Sequence, residues 1–309
     1  MNKIVLSSLT FAHLSNVIMN KKLLYGIYLH ILIFVLAFTG ILGKLITVSS
    51  SVLVFYRLLF GFLALAGYMF FTKKFVFIQN KKDLTKILFT GAVIGAHWIC
   101  FFESIKQSTV SIGLIALSTA TLFAAILEPL FFKRKFRLYE LLFGLLIISG
   151  ILIVFNYESG YSSGLIIGIF AAFFGALFTV LNGKFVEKYP ASRITIYELF
   201  GGFVIVSAYS FLTVDDFSQF YLKTNDLAWL LFLGIVCTAI AFVGSIEVMK
   251  EISPFTVTLS FNLEPVYGII LALLFFGKEE EMSPQFYLGA LIILGTIFTN
   301  AWIKGKAKH

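Results

Sequence analysis

Ten stretches of this chain stay apolar for about 20 residues each, long enough to cross the hydrocarbon core of a bilayer as helices. They run 23–43, 51–71, 84–102, 110–131, 138–155, 163–184, 194–213, 227–248, 256–276 and 285–303. The connections between them are short, so almost nothing remains to build a water-soluble domain. Composition agrees: 59% of the 309 residues are hydrophobic and 13% are charged, against about 25% charged in soluble domains. The sequence therefore predicts an all-α integral membrane protein with ten transmembrane helices.

The net charge of +8 would suggest nucleic acid in a soluble chain, but here its placement matters more than its size. An even number of spans puts both termini on one side, and 19 of the 24 Lys and Arg fall there. Four, Lys44, Lys106, Lys223 and Lys278, fall on the other, and Arg57 lies inside a span. The positive-inside rule predicts both termini in the cytoplasm, in a plasma membrane, with no nucleic-acid partner. Residues 1–22 read as an N-terminal extension. Ile4–Leu14 is too short to span, and no small-residue cleavage site precedes Met19, so residues 1–18 are expected to be dispensable.

The chain also repeats itself. FTGILGK at 38–44 matches FTVLNGK at 178–184, and FYRLLFG at 55–61 matches IYELFGG at 196–202. ESIK at 103–106 matches EVMK at 247–250, LFF at 130–132 matches LFF at 274–276, and Gly144 and Gly150 match Gly289 and Gly295. The offset drifts only from 140 to 145, which gives two halves of five spans. Five is odd, so the second half is inserted upside down. Inverted repeats that rock about a site near the midplane are the architecture of secondary transporters.

The second half contains SPFTVTLSFNLEPVYGIILALLFFG and then YLGALIILGTIF; the first has LIALSTATLFAAILEPLFF and then LLFGLLIISGILI. These segments resemble the EamA domain of the drug/metabolite transporter (DMT) superfamily, with Arg57 in the second span fitting the same pattern. The resemblance covers about residues 23–304, with repeats expected at 23–156 and 163–304 and a tail at 305–309. Two positions depart from it: Thr121 stands where a proline is usual, and Gly277-Lys278 replaces Gly-Glu. The resemblance implies a central cavity lined by spans one to four and six to nine, and a metabolite exporter or exchanger that needs no cofactor. The expected partners are a small-molecule metabolite and the lipid bilayer. The sequence is equally open to a monomer or a homodimer.

Ionised groups inside spans cost at least about 2.5–3.5 kcal/mol each and need a reason. The candidates are Arg57, Glu128, Glu198 and Glu264, with His97 counted as neutral. The repeat pairs Arg57 with Glu198, but inversion puts them at opposite mouths, too far apart to touch. Glu128 lies beside Lys133, Arg134 and Lys135 and reads as an interface charge. Glu264 lies near the midplane, followed by Pro265, which cannot donate to the helix and is expected to loosen it. Arg57 is thus expected to orient a substrate anion, or to hold Glu264 when the site is empty. Asn262, His97, Trp98 and Tyr56 join it as candidate substrate contacts, and Glu264, His97 and Glu198 are candidates for gating or proton coupling. The competing role of Arg57, a packing charge bonded to carbonyls, stays open. Glu103–Lys106 and Glu247–Lys250 read as self-neutralising i,i+3 pairs.

An intramembrane enzyme is the rival class, with a non-transporting scaffold third. No HExxH or GxSxG is present, and the one adjacent aspartate pair, Asp215-Asp216, falls in an outer loop. Cys100 and Cys237 both lie in apolar runs and read as small core residues, with no metal implied.

Overall fold

A computed structural model describes residues 2–74, 77–133, 135, 138–214, 216–252, 257, 260–261 and 263–306. Asn262, Asp215 and Arg134 therefore lie outside the described residues. Regular structure among the described residues is entirely helical. The first half comprises α1 (Asn2–Leu45), α2 (Ser50–Phe71), α3 (Lys81–Lys106), α4 (Val110–Leu117) with α5 (Ala120–Phe132), and α6 (Leu138–Tyr157). The second comprises α7 (Ser162–Phe185), α8 (Ala191–Thr213), α9 (Thr224–Gly234), a π-helical segment (Ile235–Ile240) and α10 (Ala241–Val248). It closes with α11 (Leu263–Phe276) and α12 (Pro284–Lys306). With α4–α5 as span four and α9–α10 as span eight, these are ten spans in two inverted five-helix repeats.

Two spans depart from the unbroken helices that the apolar runs predict. Span four breaks at Ser118-Thr119, whose hydroxyls donate to Ile115 O and Ala116 O, both at 2.6 Å. Such back-bonding offers the backbone an alternative to the helix ladder. The break falls just before Thr121, so it forms without the usual proline. Span eight widens into its π segment, where the Thr238 hydroxyl donates to Leu233 O at 2.8 Å. An inserted residue of this kind swings the following side chains around the helix axis, and such bulges concentrate at functional sites.

The two halves interlock through α3, which packs against α7 and α8. Glycine makes the approach feasible: a Cβ on Gly201 would sit 2.4 Å from Leu88 O, and one on Gly91 2.1 Å from Glu198 O. Without a hydrophobic force between helices in lipid, close backbone packing of this sort supplies much of the association. Spans five and ten form a separate peripheral pair, in which α6 and α12 bury Ile147, Val154, Phe286, Ile293 and Ile297. The repeat is visible in the backbone too. Lys133 and Gly277, each just after an LFF, share a left-handed φ of 53° and 55°.

The termini and the loops after α2, α5, α7 and α10 define one face of the bundle, here the termini face. The loops after α1, α3, α6, α8 and α11 define the far face. Each half grips the other at these faces through a related acid. Asp226, in the first turn of span eight, accepts from Thr47 N at 2.9 Å and Thr47 Oγ1 at 2.7 Å. Asp83, in the first turn of span three, accepts from Tyr189 Oη at 2.9 Å and pairs with Lys188 at 3.3 Å.

The far face carries a second, deeper lock. Glu280 is fully buried and accepts from Val110 N, Ser111 N and Ser111 Oγ at 3.1, 3.0 and 2.9 Å, capping α4. Lys44, at the end of span one, reaches Glu280 at 3.0 Å and Glu279 at 3.1 Å. Of the two expected i,i+3 pairs, Glu247–Lys250 forms at 2.5 Å. Lys106 instead donates to Ile46 O at 3.0 Å and Val48 O at 2.5 Å, because the loop after α1 folds back onto it.

Candidate functional site

A cavity of about 110 Å³ lies at the centre of the bundle. By the measure of about 10–15 Å³ per water, it is large enough for several waters or part of a small ligand. Its lining begins at Arg57, in the far third of span two, and reaches Met249, the residue after α10 at the termini face. Of the expected lining spans, one to four contribute Thr39, Arg57, Trp98 and Ser118, and six, eight and nine contribute Thr179, Phe242 and Glu264, whereas span seven contributes no residue to the wall.

Arg57 is 2% exposed. Its Nε donates to Thr238 Oγ1 at 2.8 Å, and its guanidinium carbon lies 3.9 Å from the centre of the Trp98 ring and 5.6 Å from that of Phe102. Thr238 is held in place to accept because its own proton is committed to Leu233 O within the π segment. One terminal nitrogen, Nη1, is buried with no hydrogen-bond partner. A guanidinium stays protonated at ordinary pH, so an unused donor of this kind is a strong site for an anion.

Glu264 and Pro265 share the cavity wall with Arg57. The direct ion pair expected for an empty site does not form: no Arg57–Glu264 contact lies within 4.0 Å. The guanidinium is held instead by the stack on Trp98 and the bond to Thr238. His97, 8% exposed, places Nδ1 2.7 Å from Ala171 O. A carbonyl only accepts, so Nδ1 carries the proton and Nε2 is the ring nitrogen left for other partners. Gly175 makes room for this ring, since a Cβ there would lie 3.2 Å from it.

Aromatic rings form the rest of the wall. Trp98 meets Phe242 edge-on at 5.9 Å, Phe242 meets Phe178 at 5.9 Å, and His97 meets Phe178 at 5.3 Å. Two sequence candidates lie elsewhere. Tyr56 donates to Phe220 O at 2.7 Å within an aromatic cluster near the far face and does not line the cavity. Glu198 is fully buried beside Gly91, where Asn182 Nδ2 donates to its Oε2 at 3.4 Å and its Oε1 has no partner. It is absent from the cavity wall and is not paired with Arg57.

Sequence reasoning missed Thr238, Phe242, Thr39 and Thr179. The last three carried a signal. Phe242 stands at offset 144 from Trp98, and Thr179 at offset 140 from Thr39, inside the FTG and FTV repeats already noted. Thr238 carried none, because its position depends on the π segment.

The model of the EamA-like transporter family matches residues 23–156 and again 162–301. The chain belongs to the EamA-like transporter family. It is a multi-pass membrane transporter. Among curated relatives of this EamA-like transporter, "Uncharacterized transporter YdfC" of Bacillus subtilis is 24% identical over 84% of this chain and 85% of its own. "Uncharacterized transporter YxxF" of the same organism is 24% identical over 87% and 86%. A "Probable biotin transporter" of Pseudomonas aeruginosa is 23% identical over 69% and 76%. A solved crystal structure superposes with a TM-score of 0.65 at 13% identity, covering 88% of this chain and 95% of its own, which shows a shared fold.

Proposed function

We propose that this transporter moves a small metabolite bearing an anionic group by alternating access, as an exporter or exchanger. Arg57 binds the anion, while Trp98, Phe178 and Phe242 enclose the apolar part of the molecule. The observation that carries this reading is the buried, unpartnered Nη1 of Arg57 at the wall of a central cavity. Glu264 faces the same space and carries either a cationic substrate group or a proton, with His97 Nε2 as its alternative.

Alternating access is supported by the contrast between the two ends of the bundle. The far face is sealed by Glu280, Lys44, Asp226 and Lys106, whereas the cavity lining extends toward the termini face. With the termini cytoplasmic, this is an inward-facing arrangement in a plasma membrane. The relative named for biotin makes ring-bearing monocarboxylates the first compounds to try.

A thermal-stability screen of the purified protein against carboxylate-bearing metabolites tests the proposal. A ligand at 100 times its Kd stabilises a site by about 2.7 kcal/mol. At least one carboxylate should raise the melting temperature of the wild type and not of Arg57→Gln. If the same compounds shift both proteins equally, Arg57 does not bind the anion.

A further inference from the structure

A second cavity, of about 1050 Å³, lies at the termini face between α3, α5 and α7. Its rim carries Lys82, Lys86, Lys184 and Lys188 against Asp83 and Glu187. Asp83 is already engaged by Lys188 and Tyr189. Among the described residues, Lys82, Lys86 and Lys184 make no ion pair. Lys184 instead lies 5.5 Å from the ring centres of both Phe131 and Phe132.

The repeat explains why Lys184 has no acidic partner of the kind that Lys44 has. Lys184 stands at offset 140 from Lys44, and Lys44 is neutralised by Glu279 and Glu280, the residues after span nine. The corresponding residues after span four, at offset 144, are Lys135 and Phe136. The sequence thus supplies a base and an aromatic ring where the other face has two acids.

Depth and chemistry define what fits. Lys82 and Lys86 occupy the first two turns of α3, and Lys184 the last turn of α7, so all three lie toward the termini face. The wall beneath is apolar: Leu177 and Leu181 lie seven and three residues before Lys184, about 5–10 Å deeper along the helix. Phe89, 64% exposed, continues this wall outward from α3. A soluble anion would match the rim and leave the wall bare; an uncharged lipid would match only the wall. Basic pockets between membrane helices near the cytoplasmic surface characteristically hold anionic headgroups.

We propose that this cavity is a binding site for an anionic phospholipid. Its phosphate sits among Lys82, Lys86 and Lys184, and its acyl chains lie along Phe89, Phe131, Leu177 and Leu181. The bound headgroup supplies the charge that Glu279 and Glu280 supply at the far face.

Native mass spectrometry of the full chain in detergent, titrated with phosphatidylglycerol, phosphatidylcholine or glycerol 3-phosphate, tests this. Saturable retention of phosphatidylglycerol is expected, with at least tenfold weaker retention of phosphatidylcholine. Lys82→Gln/Lys86→Gln, which alters only exposed side chains, should weaken phosphatidylglycerol binding at least tenfold and leave the melting temperature in phosphatidylcholine unchanged. Adding Lys184→Gln should abolish it. Equal retention of both lipids, or equal binding by the double variant, overturns the proposal. Displacement of phosphatidylglycerol by millimolar glycerol 3-phosphate also overturns it, because the site would then be one for soluble phosphate.

Discussion

Replacing Glu280 by glutamine removes one charge and inverts one acceptor in the far-face lock. Glu280 Oε1 accepts from Lys44 Nζ and Val110 N, while Oε2 accepts from Ser111 N and Ser111 Oγ. Whichever oxygen becomes the amide NH₂ faces donors, so two of the four bonds fail in either orientation. Hydrogen bonds to a charged group contribute about 1.5–3 kcal/mol each, and a buried donor left unmet costs about 1–3 kcal/mol. Allowing for relaxation and for the serine hydroxyl turning to donate elsewhere, the far-closed state loses about 2–4 kcal/mol relative to one in which these groups are hydrated. At 1.4 kcal/mol per tenfold, the open population rises roughly 30- to 700-fold. Cys237 reports this directly, because it is fully buried and lines the central cavity. In a Cys100→Ser background it is the single thiol. Its labelling by a membrane-impermeant maleimide applied from the far face should accelerate at least tenfold in Glu280→Gln. A labelling rate within twofold of the parent, in protein with normal expression and melting, would refute the reasoning that Glu280 holds this face shut.

Arg57→Lys keeps the charge but loses the planar stack on Trp98, which contributes about 2 kcal/mol when desolvated. Ligand affinity in the thermal-shift titration should fall at least tenfold. Thr238→Val leaves Arg57 Nε without its acceptor and should weaken the same titration while lowering the apo melting temperature. Gly201→Ala drives a methyl into Leu88 O, which as backbone cannot yield, so overpacking of about 1–3 kcal/mol should lower the melting temperature by several degrees. Gly67→Ala, with nothing within 4 Å, is the silent control. Glu264→Gln should abolish any response of flux to an imposed pH gradient while exchange of labelled for unlabelled substrate continues; an unchanged gradient response removes Glu264 from proton coupling.

The repeat and the charge sorting made the architecture readable because both are properties of order along the chain. Ten apolar runs, an odd number per half and nineteen cations on one side leave little freedom in threading the membrane. Depth reasoning separated Arg57 from Glu198 for the same reason, since vertical position follows from counting residues along a helix. What counting does not reveal is azimuth and local helix geometry. Tyr56 neighbours Arg57 in sequence, yet its ring turns to Phe220 about a helix whose successive residues lie about 100° apart. The Arg57–Thr238 bond depends on a π segment that no single residue type announces. The break at Ser118-Thr119 rests on hydroxyl-to-carbonyl bonds that a continuous apolar run does not announce. Glu280 is the middle of three successive acids at 279–281, and only the fold carries it under the N-terminus of α4.

The central claim is that Arg57 binds a substrate anion in a cavity that opens alternately to the two sides. Counterflow in proteoliposomes tests it most directly: vesicles loaded with the unlabelled carboxylate identified by thermal shift are diluted into trace labelled compound. The account predicts transient, saturable accumulation of label by the wild type and at least a tenfold loss in Arg57→Gln reconstituted to equal density. Accumulation that is equal in the two proteins, or that rises linearly with concentration, would contradict it.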